Sequence, residues 1–384
     1  MLKQSCIFLA GIMFMTIAVA GGCNAHLKAQ GTQTTNVLKG PYLIYPGNTM
    51  QMTVLWQVDS NAKCSLSWGS DTTYSAGNTV TSEYNADHQH KYTINGLKPG
   101  KKYYYQVIAG QNASVGSFLA APPDSATAVE FFGYGDTRTN PGEQDKVCRN
   151  VISTYTANPN CQTFLIHVGD WVSKNSEKDW ASDFFNRTYA NNTTMQANLP
   201  IQGCMGNHEG SGTIYTKYWP YPYVADRYWS FDYGPAHIAV VDQYTDYSPG
   251  SAQLKWLAND LSSSAKQWKF IVLHEPGWSA GSFHGNNTSV QQNIQPLCKR
   301  YGVQIVFAGH NHYYARAVVD GVQHLTIGGG GAPLHDPKAD MPNVVSAKKT
   351  LGYCKVSILG NTLRCQMFDS PDNTVIDAFT ITLP

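Results

Sequence analysis

Two kinds of hydrophobic patterning divide this chain. From residue 39 to 118, apolar and polar positions alternate over short stretches, as in Met52-Thr53-Val54-Leu55-Trp56 and Cys64-Ser65-Leu66-Ser67-Trp68, with turn formers at Pro46-Gly47-Asn48 and Trp68-Gly69-Ser70. A period of two predicts half-buried strands, hence a small all-β unit. Ala121-Pro122-Pro123-Asp124 interrupts the pattern; a Pro-Pro pair continues neither ladder nor helix and makes a stiff joint. Beyond it, near-continuous apolar runs at 129–132, 164–168, 199–205, 270–273 and 303–308 predict strands buried on both faces. Helical spacing lies between them at 143–154 and at 252–262, where Leu254, Leu257 and Leu261 fall three and four apart. Residues 228–233 and 237–242 read as strands joined at Gly234-Pro235, and 353–382 as antiparallel hairpins turning at Gly360-Asn361. The expected architecture is an α/β sandwich of two sheets with a β-rich end, preceded by the all-β unit.

Each of the five apolar runs ends in a metal-ligating residue type. In order these are Gly135-Asp136, Gly169-Asp170, Gly206-Asn207-His208-Glu209, Leu273-His274 and Gly309-His310-Asn311-His312. Open α/β sheets gather ligands outside the carboxyl ends of their strands, where side chains from distant sequence converge. Asp136, Asp170, Asn207, His274, His310 and His312 delivered to one rim form the inventory of a two-metal site for phosphoryl transfer. Gly-Asp alone is only a turn; five motifs in series are what carry the reading.

The order and wording of these motifs resemble the calcineurin-like metallophosphoesterases, and among them the purple acid phosphatase branch, over roughly residues 125–384. The resemblance implies a four-layer metallophosphoesterase sandwich, two mixed sheets flanked by helices. It makes Asp170 the bridge between two metals, with Asp136 and His312 on the first and Asn207, His274 and His310 on the second. Fe, Zn and Mn are the candidate ions. His208 matches the phosphate-contacting histidine, and Glu209 is its expected orienting partner, with solvent exposure as the simpler alternative. His284, ten residues after His274 in a Gly- and Asn-rich loop, sits where such enzymes carry a substrate-facing general acid, although an exposed loop histidine looks the same in sequence. The implied chemistry is a metal-bridged hydroxide attacking phosphorus in a small phosphorylated substrate, in a phosphomonoesterase or, alternatively, a phosphodiesterase. The rival of another class is a non-catalytic surface protein that only binds phosphate or glycan.

Two positions depart from the pattern. The superfamily opens with Asp-x-His, but the third residue here is Arg138. Purple acid phosphatases use a tyrosine three residues after the bridging Asp, and that position is Ser173. Arg138 has no lone pair to donate to a metal; it reads as a bidentate clamp on phosphate oxygens or as an ion pair with a nearby carboxylate.

The stretch from Tyr92 to Val107 contains Leu97-Lys98-Pro99-Gly100 and Tyr103, which resemble the corner of a fibronectin type III module. His88 and His90 in this part read as exposed polar residues on a sandwich edge in preference to a metal pair. His167 reads as a core residue or as a support behind the ligands in preference to a ligand, and the glycines at 328–331 as a close backbone approach to the metals. Charge adds one exclusion: 27 Lys plus Arg against 26 Asp plus Glu carry no nucleic-acid signature. Lys3 followed by apolar residues 7–20 forms an export signal within residues 1–22. Ala20-Gly21-Gly22-Cys23 resembles a lipobox, so Cys23 is a candidate lipidation site that would anchor an exported cell-envelope lipoprotein through a tether at 23–38. The alternative is cleavage after Ala25 or Ala29 and a free periplasmic or secreted product. Seven further cysteines lack Cys-x-x-Cys spacing, and Cys148 with Cys161 or Cys354 with Cys365 are the candidate disulfides. The expected domains are 39–121 and 125–384.

Overall fold

The computed structural model describes residues 35–281 and 283–384. The leader, Cys23 and most of the expected tether lie outside them. The first strand begins at Val37, just inside the segment expected as tether.

The N-terminal part is a two-sheet sandwich of β1 (Val37–Ile44), β2 (Met52–Val58), β3 (Cys64–Gly69), β4 (Gly77–Thr81), β5 (Gln89–Ile94), β6 (Lys102–Ala109) and β7 (Asn112–Leu119), ordered β1-β2-β5 and β4-β3-β6-β7. Burial alternates along β6, as a period-two pattern requires. Val54, Trp56, Leu66, Val107 and Phe118 fill the space between the sheets. β2 is buried on both faces because Leu55, with Tyr42 and Ile44 of β1, belongs to the core of the following domain. The joint is therefore a shared core as well as the stiff Pro122-Pro123 segment. Polar contacts register it: Tyr105 donates to the Ala197 carbonyl at 2.8 Å, and Ser117 donates through N and Oγ to Asn198 Oδ1 at 2.9 and 2.7 Å.

The remainder runs β8 (Ala128–Tyr134), α1 (Pro141–Ala157), β9 (Leu165–His167), α2 (Glu177–Ser182), α3 (Ala190–Asn198), β10 (Ile201–Gly203), α4 (Thr213–Tyr218), β11 (Trp229–Tyr233), β12 (Ala236–Val240), α5 (Ala252–Ser263) and β13 (Trp268–Val272). It continues with α6 (Gln295–Tyr301), β14 (Ile305–Ala308), β15 (Tyr314–Val319), β16 (Val322–Ile327), β17 (Val344–Lys348), β18 (Gly352–Leu359), β19 (Thr362–Asp369) and β20 (Val375–Thr382). One mixed sheet has the order β10-β9-β8-β18-β19-β20 and the other β11-β12-β13-β14-β16-β15-β17. Phe131 of the first meets Phe270 of the second at 5.6 Å between centroids, an edge-to-face contact at the centre of the sandwich. Val147 and Val151 of α1 pack into that core from the outer side of the first sheet, while Leu257 and Leu261 of α5 join Ile271 and Val306 on the far side of the second. Helix, sheet, sheet, helix is the four-layer architecture expected.

Three expectations need correction. His90 is fully buried, stacked on Trp56 at 5.2 Å, with Thr81 Oγ1 at 3.0 Å from its Nδ1. It belongs to the sandwich core instead of an exposed edge, while His88 lies before β5 and pairs with Glu83 at 2.8 Å. Neither cysteine pair forms a disulfide. Cys161 bonds the Asn158 carbonyl at 2.9 Å and Cys148 faces Asn192, while Cys354 and Cys365 stay thiols side by side in the core.

The seam is a sensitive place. A Cβ at Gly116 would come within 2.3 Å of the Ala197 carbonyl and 2.5 Å of the Tyr105 hydroxyl. Gly116→Val is expected to destabilise the protein by about 1–3 kcal/mol, read as a lowered denaturation midpoint; an unchanged midpoint would mean that the two domains are not packed at this seam.

Candidate metal centre

All six candidate ligands follow the carboxyl ends of core strands: Asp136 after β8, Asp170 after β9, Asn207 after β10, His274 after β13, and His310 and His312 after β14. Three sit in the left-handed backbone region, Asp136 at φ 55°, Asp170 at 53° and His310 at 67°. Non-glycine residues are held there only where surrounding structure over-determines them, and such strain clusters at functional sites. Gly309 and Gly328 make the approach possible: a Cβ on either would lie 2.2 or 2.8 Å from Asp136 Oδ2.

The side chains form two groups with Asp170 common to both, Asp170–His274–His310 and Asp136–Asp170–His312, each with ligand atoms within 4.8 Å of one another. In the first, His274 Nδ1 donates to the Val168 carbonyl at 2.7 Å, which leaves the lone pair of Nε2 facing inward. That nitrogen lies 3.1 Å from Asn207 Oδ1 and 3.2 Å from both Asp170 Oδ1 and His310 Nδ1. His310 Nδ1 is also 3.0 Å from Asn207 Oδ1. Four electron-pair donors thus converge, and a single proton on His310 cannot relieve all their contacts. A cation can. In the second group, Asp136 Oδ1 accepts the His310 N–H at 2.9 Å, but Asp136 Oδ2 is buried without a hydrogen-bond partner. Burial and the Asp170 charge push the Asp136 carboxyl well above the usual carboxylate range, a cost that a bound cation would reverse. Burial and neighbouring imidazoles hold His310 down to about 2, and burial, His335 and Arg138 hold His312 down to about 3, so both stay neutral and able to ligate. The residues present therefore fit two cations.

Around this cluster, His208 Nδ1 donates to the Ser173 carbonyl at 2.7 Å and its Nε2 lies 3.7 Å from Asp170 Oδ2. His284 stacks on His310 with centroids 3.8 Å apart, and its backbone N–H reaches Asn311 Oδ1 at 3.2 Å. Arg138 Nε lies 3.3 Å from Asp170 Oδ2, and its Nη2 donates to His312 Nε2 at 3.3 Å. His167 is core, stacked on Trp171 at 3.6 Å.

Glu209 does not orient His208, nor is it exposed. It is fully buried and accepts the backbone N–H groups of Gly206, Asp170, Trp171 and Val172 at 2.7–3.2 Å. It clamps the Asp170 loop to the Asn207 loop, while a carbonyl orients the histidine. His335 was not read as a site residue in the sequence, yet it stacks on His312 at 4.1 Å and its Nδ1 accepts the His312 N–H at 3.2 Å. Its position after the glycine run was the one available signal.

Comparisons with known proteins bear on the domains and the fold. Residues 142–314 match the calcineurin-like phosphoesterase family and residues 39–120 the purple acid phosphatase N-terminal domain. The chain therefore carries a calcineurin-like phosphoesterase domain preceded by a purple acid phosphatase N-terminal domain. Purple acid phosphatase 21 of Arabidopsis thaliana is 28% identical over 274 residues, 65% of this chain and 59% of that relative. The chain thus spans less than two thirds of the length of this relative. Among solved structures, a purple acid phosphatase from yellow lupin superposes with a TM-score of 0.71 at 18% identity, covering 90% of this chain and 74% of its own. PhoD superposes at 0.69 and 16%, covering 89% and 88%. At these identities the structures speak for the fold.

Because Asp170 belongs to both groups, Asp170→Asn is expected to lose more metal under excess ion than His312→Ala, by elemental analysis; equal contents would remove the shared-ligand assignment. Glu209→Ala leaves buried N–H groups without an acceptor and should cost about 2–4 kcal/mol. A denaturant titration unchanged by it would mean that the two loops are held by other means. With Ser173 at the tyrosine position, the iron-loaded protein should show no strong visible charge-transfer band. Tyr134 and Tyr313 are both buried, and Tyr313 donates to the Gly281 carbonyl; a purple product would bring one of them to the metal.

Proposed function

We propose that this chain is an exported phosphoester hydrolase working through a two-cation centre, acting on monoesters by preference. The observation that carries the reading is Asp170, shared by both ligand groups, with the His208 imidazole beside it. Export rests on the sequence of the leader, and Cys23 is the proposed lipid anchor. Among the described residues no helix is long and apolar enough to cross a membrane.

Cations held by Asp136, Asp170, Asn207, His274, His310 and His312 would supply positive charge against phosphoryl oxygens and lower the pKa of a water. The chain's own groups do the rest. His208, fixed by the Ser173 carbonyl, presents Nε2 to hold or transfer a proton at a phosphoryl or leaving oxygen. His284, on the rim above His310, is placed to protonate a departing alkoxide. Arg138, 18% exposed beside Asp170, is the cationic side chain available to phosphate oxygens.

The protein with Mn, Zn or Fe should hydrolyse an aryl phosphate, and faster than an aryl phosphodiester; the reverse ratio makes it a diesterase. No metal-dependent turnover of either would leave only a phosphate- or glycan-binding role. His208→Ala should retain metal and slow turnover by about two to four powers of ten. His284→Ala should slow alkyl phosphates more than aryl phosphates, since only the former need their leaving group protonated; equal effects would exclude it as the acid.

A further inference from the structure

The two departures from the family pattern, Arg138 and Ser173, meet in space. Arg138 Nη1 donates to Thr139 Oγ1 at 3.3 Å, Thr139 Oγ1 is 3.1 Å from Ser173 Oγ, and Ser173 Oγ donates to Asp183 Oδ2 at 2.7 Å. This chain of contacts turns the guanidinium inward, onto Asp170 Oδ2 through Nε and onto His312 Nε2 through Nη2.

The His312 contact has a consequence set by valence. His312 Nδ1 donates to the Pro333 carbonyl at 2.7 Å, so Nε2 is the acceptor nitrogen and has one in-plane lone pair. That lone pair cannot serve an N–H of Arg138 and a cation at the same time. Among the described residues the other group has no such occupant: His274 Nε2, Asn207 Oδ1 and His310 Nδ1 face one another without an intervening Lys or Arg.

We propose that the Arg138 guanidinium is a resident cation competing for the first metal position, so that the centre fills in order. One ion binds tightly between Asp170, Asn207, His274 and His310. A second binds weakly and exchangeably at Asp136, Asp170 and His312, only after Nη2 has left His312. The displaced N–H groups then become free for phosphate oxygens, which couples substrate and second-ion binding. The inference rests on the metal-centre reading above and concerns this chain's departure from the two-ion pattern.

The test is metal content and affinity, with Mn or Zn as the probe. Calorimetric titration of the wild-type chain should resolve two steps, the second weaker by about one to two powers of ten, the scale of displacing a charge-assisted hydrogen-bond donor. After dialysis it should retain about one ion per chain. Arg138→Ala and the better space-filling Arg138→Gln should strengthen the second step more than the first, since Asp170 serves both ions, and raise retained metal towards about two. Two equal tight steps in the wild type, or an unchanged second step in a folded variant, would overturn the competition and leave the hydrolase reading intact. No metal bound by any of the three would overturn both.

Discussion

Two carboxylates buried against one another are the constraint on which this molecule is arranged. Asp136 and Asp170 are withdrawn from water at the centre of the sandwich rim, and burial together with the Asp170 charge raises the Asp136 carboxyl. A desolvated anion pair is tolerable only if positive charge or N–H donors are supplied at fixed places. The structure supplies them in layers. The His310 and His208 amides point at the carboxylates, Arg138 covers the outer oxygen of Asp170, and the neutral imidazoles leave room for cations.

Such a place is built from loops, so its precision has to come from elsewhere. The strands beneath it are short, three residues each for β9 and β10, but their Leu165, Ile166 and Ile201 are fully buried in the main hydrophobic core. Above them the Glu209 carboxylate ties the Asp170 and Asn207 loops together. Backbone carbonyls at Val168, Ser173 and Pro333 set the orientation and tautomer of His274, His208 and His312 in turn. Each imidazole thus has one nitrogen committed to the scaffold and one left for chemistry. The N-terminal sandwich contributes at a distance, since its first two strands complete the core under α3 and β10.

What the chain determined by itself was the list of candidate ligands and the layered fold. Each ligand stands at the end of an apolar run, and a strand buried on both faces must deliver its next polar residue to the sheet rim. Local pattern is enough for that. The same locality explains why helices at 143–154 and 252–262 were legible to within a few residues.

Tertiary structure decided what depends on contacts between distant segments. Glu209 was legible as a neighbour of His208, but only the folded loops show it collecting N–H groups from residues near position 170. His335 is separated from His312 by a hairpin and a glycine run, and no periodicity connects them. Buried His90 follows the pleat of β5, yet its burial comes from Trp56 on a neighbouring strand. Arg138 is the sharpest case. Its sequence excluded it as a ligand, but whether its guanidinium faced substrate or carboxylate depended on Asp170, Ser173 and His312, which arrive from two other loops. Pairwise electrostatics and valence act through space, and a one-dimensional pattern carries no information on which lone pair a side chain will find.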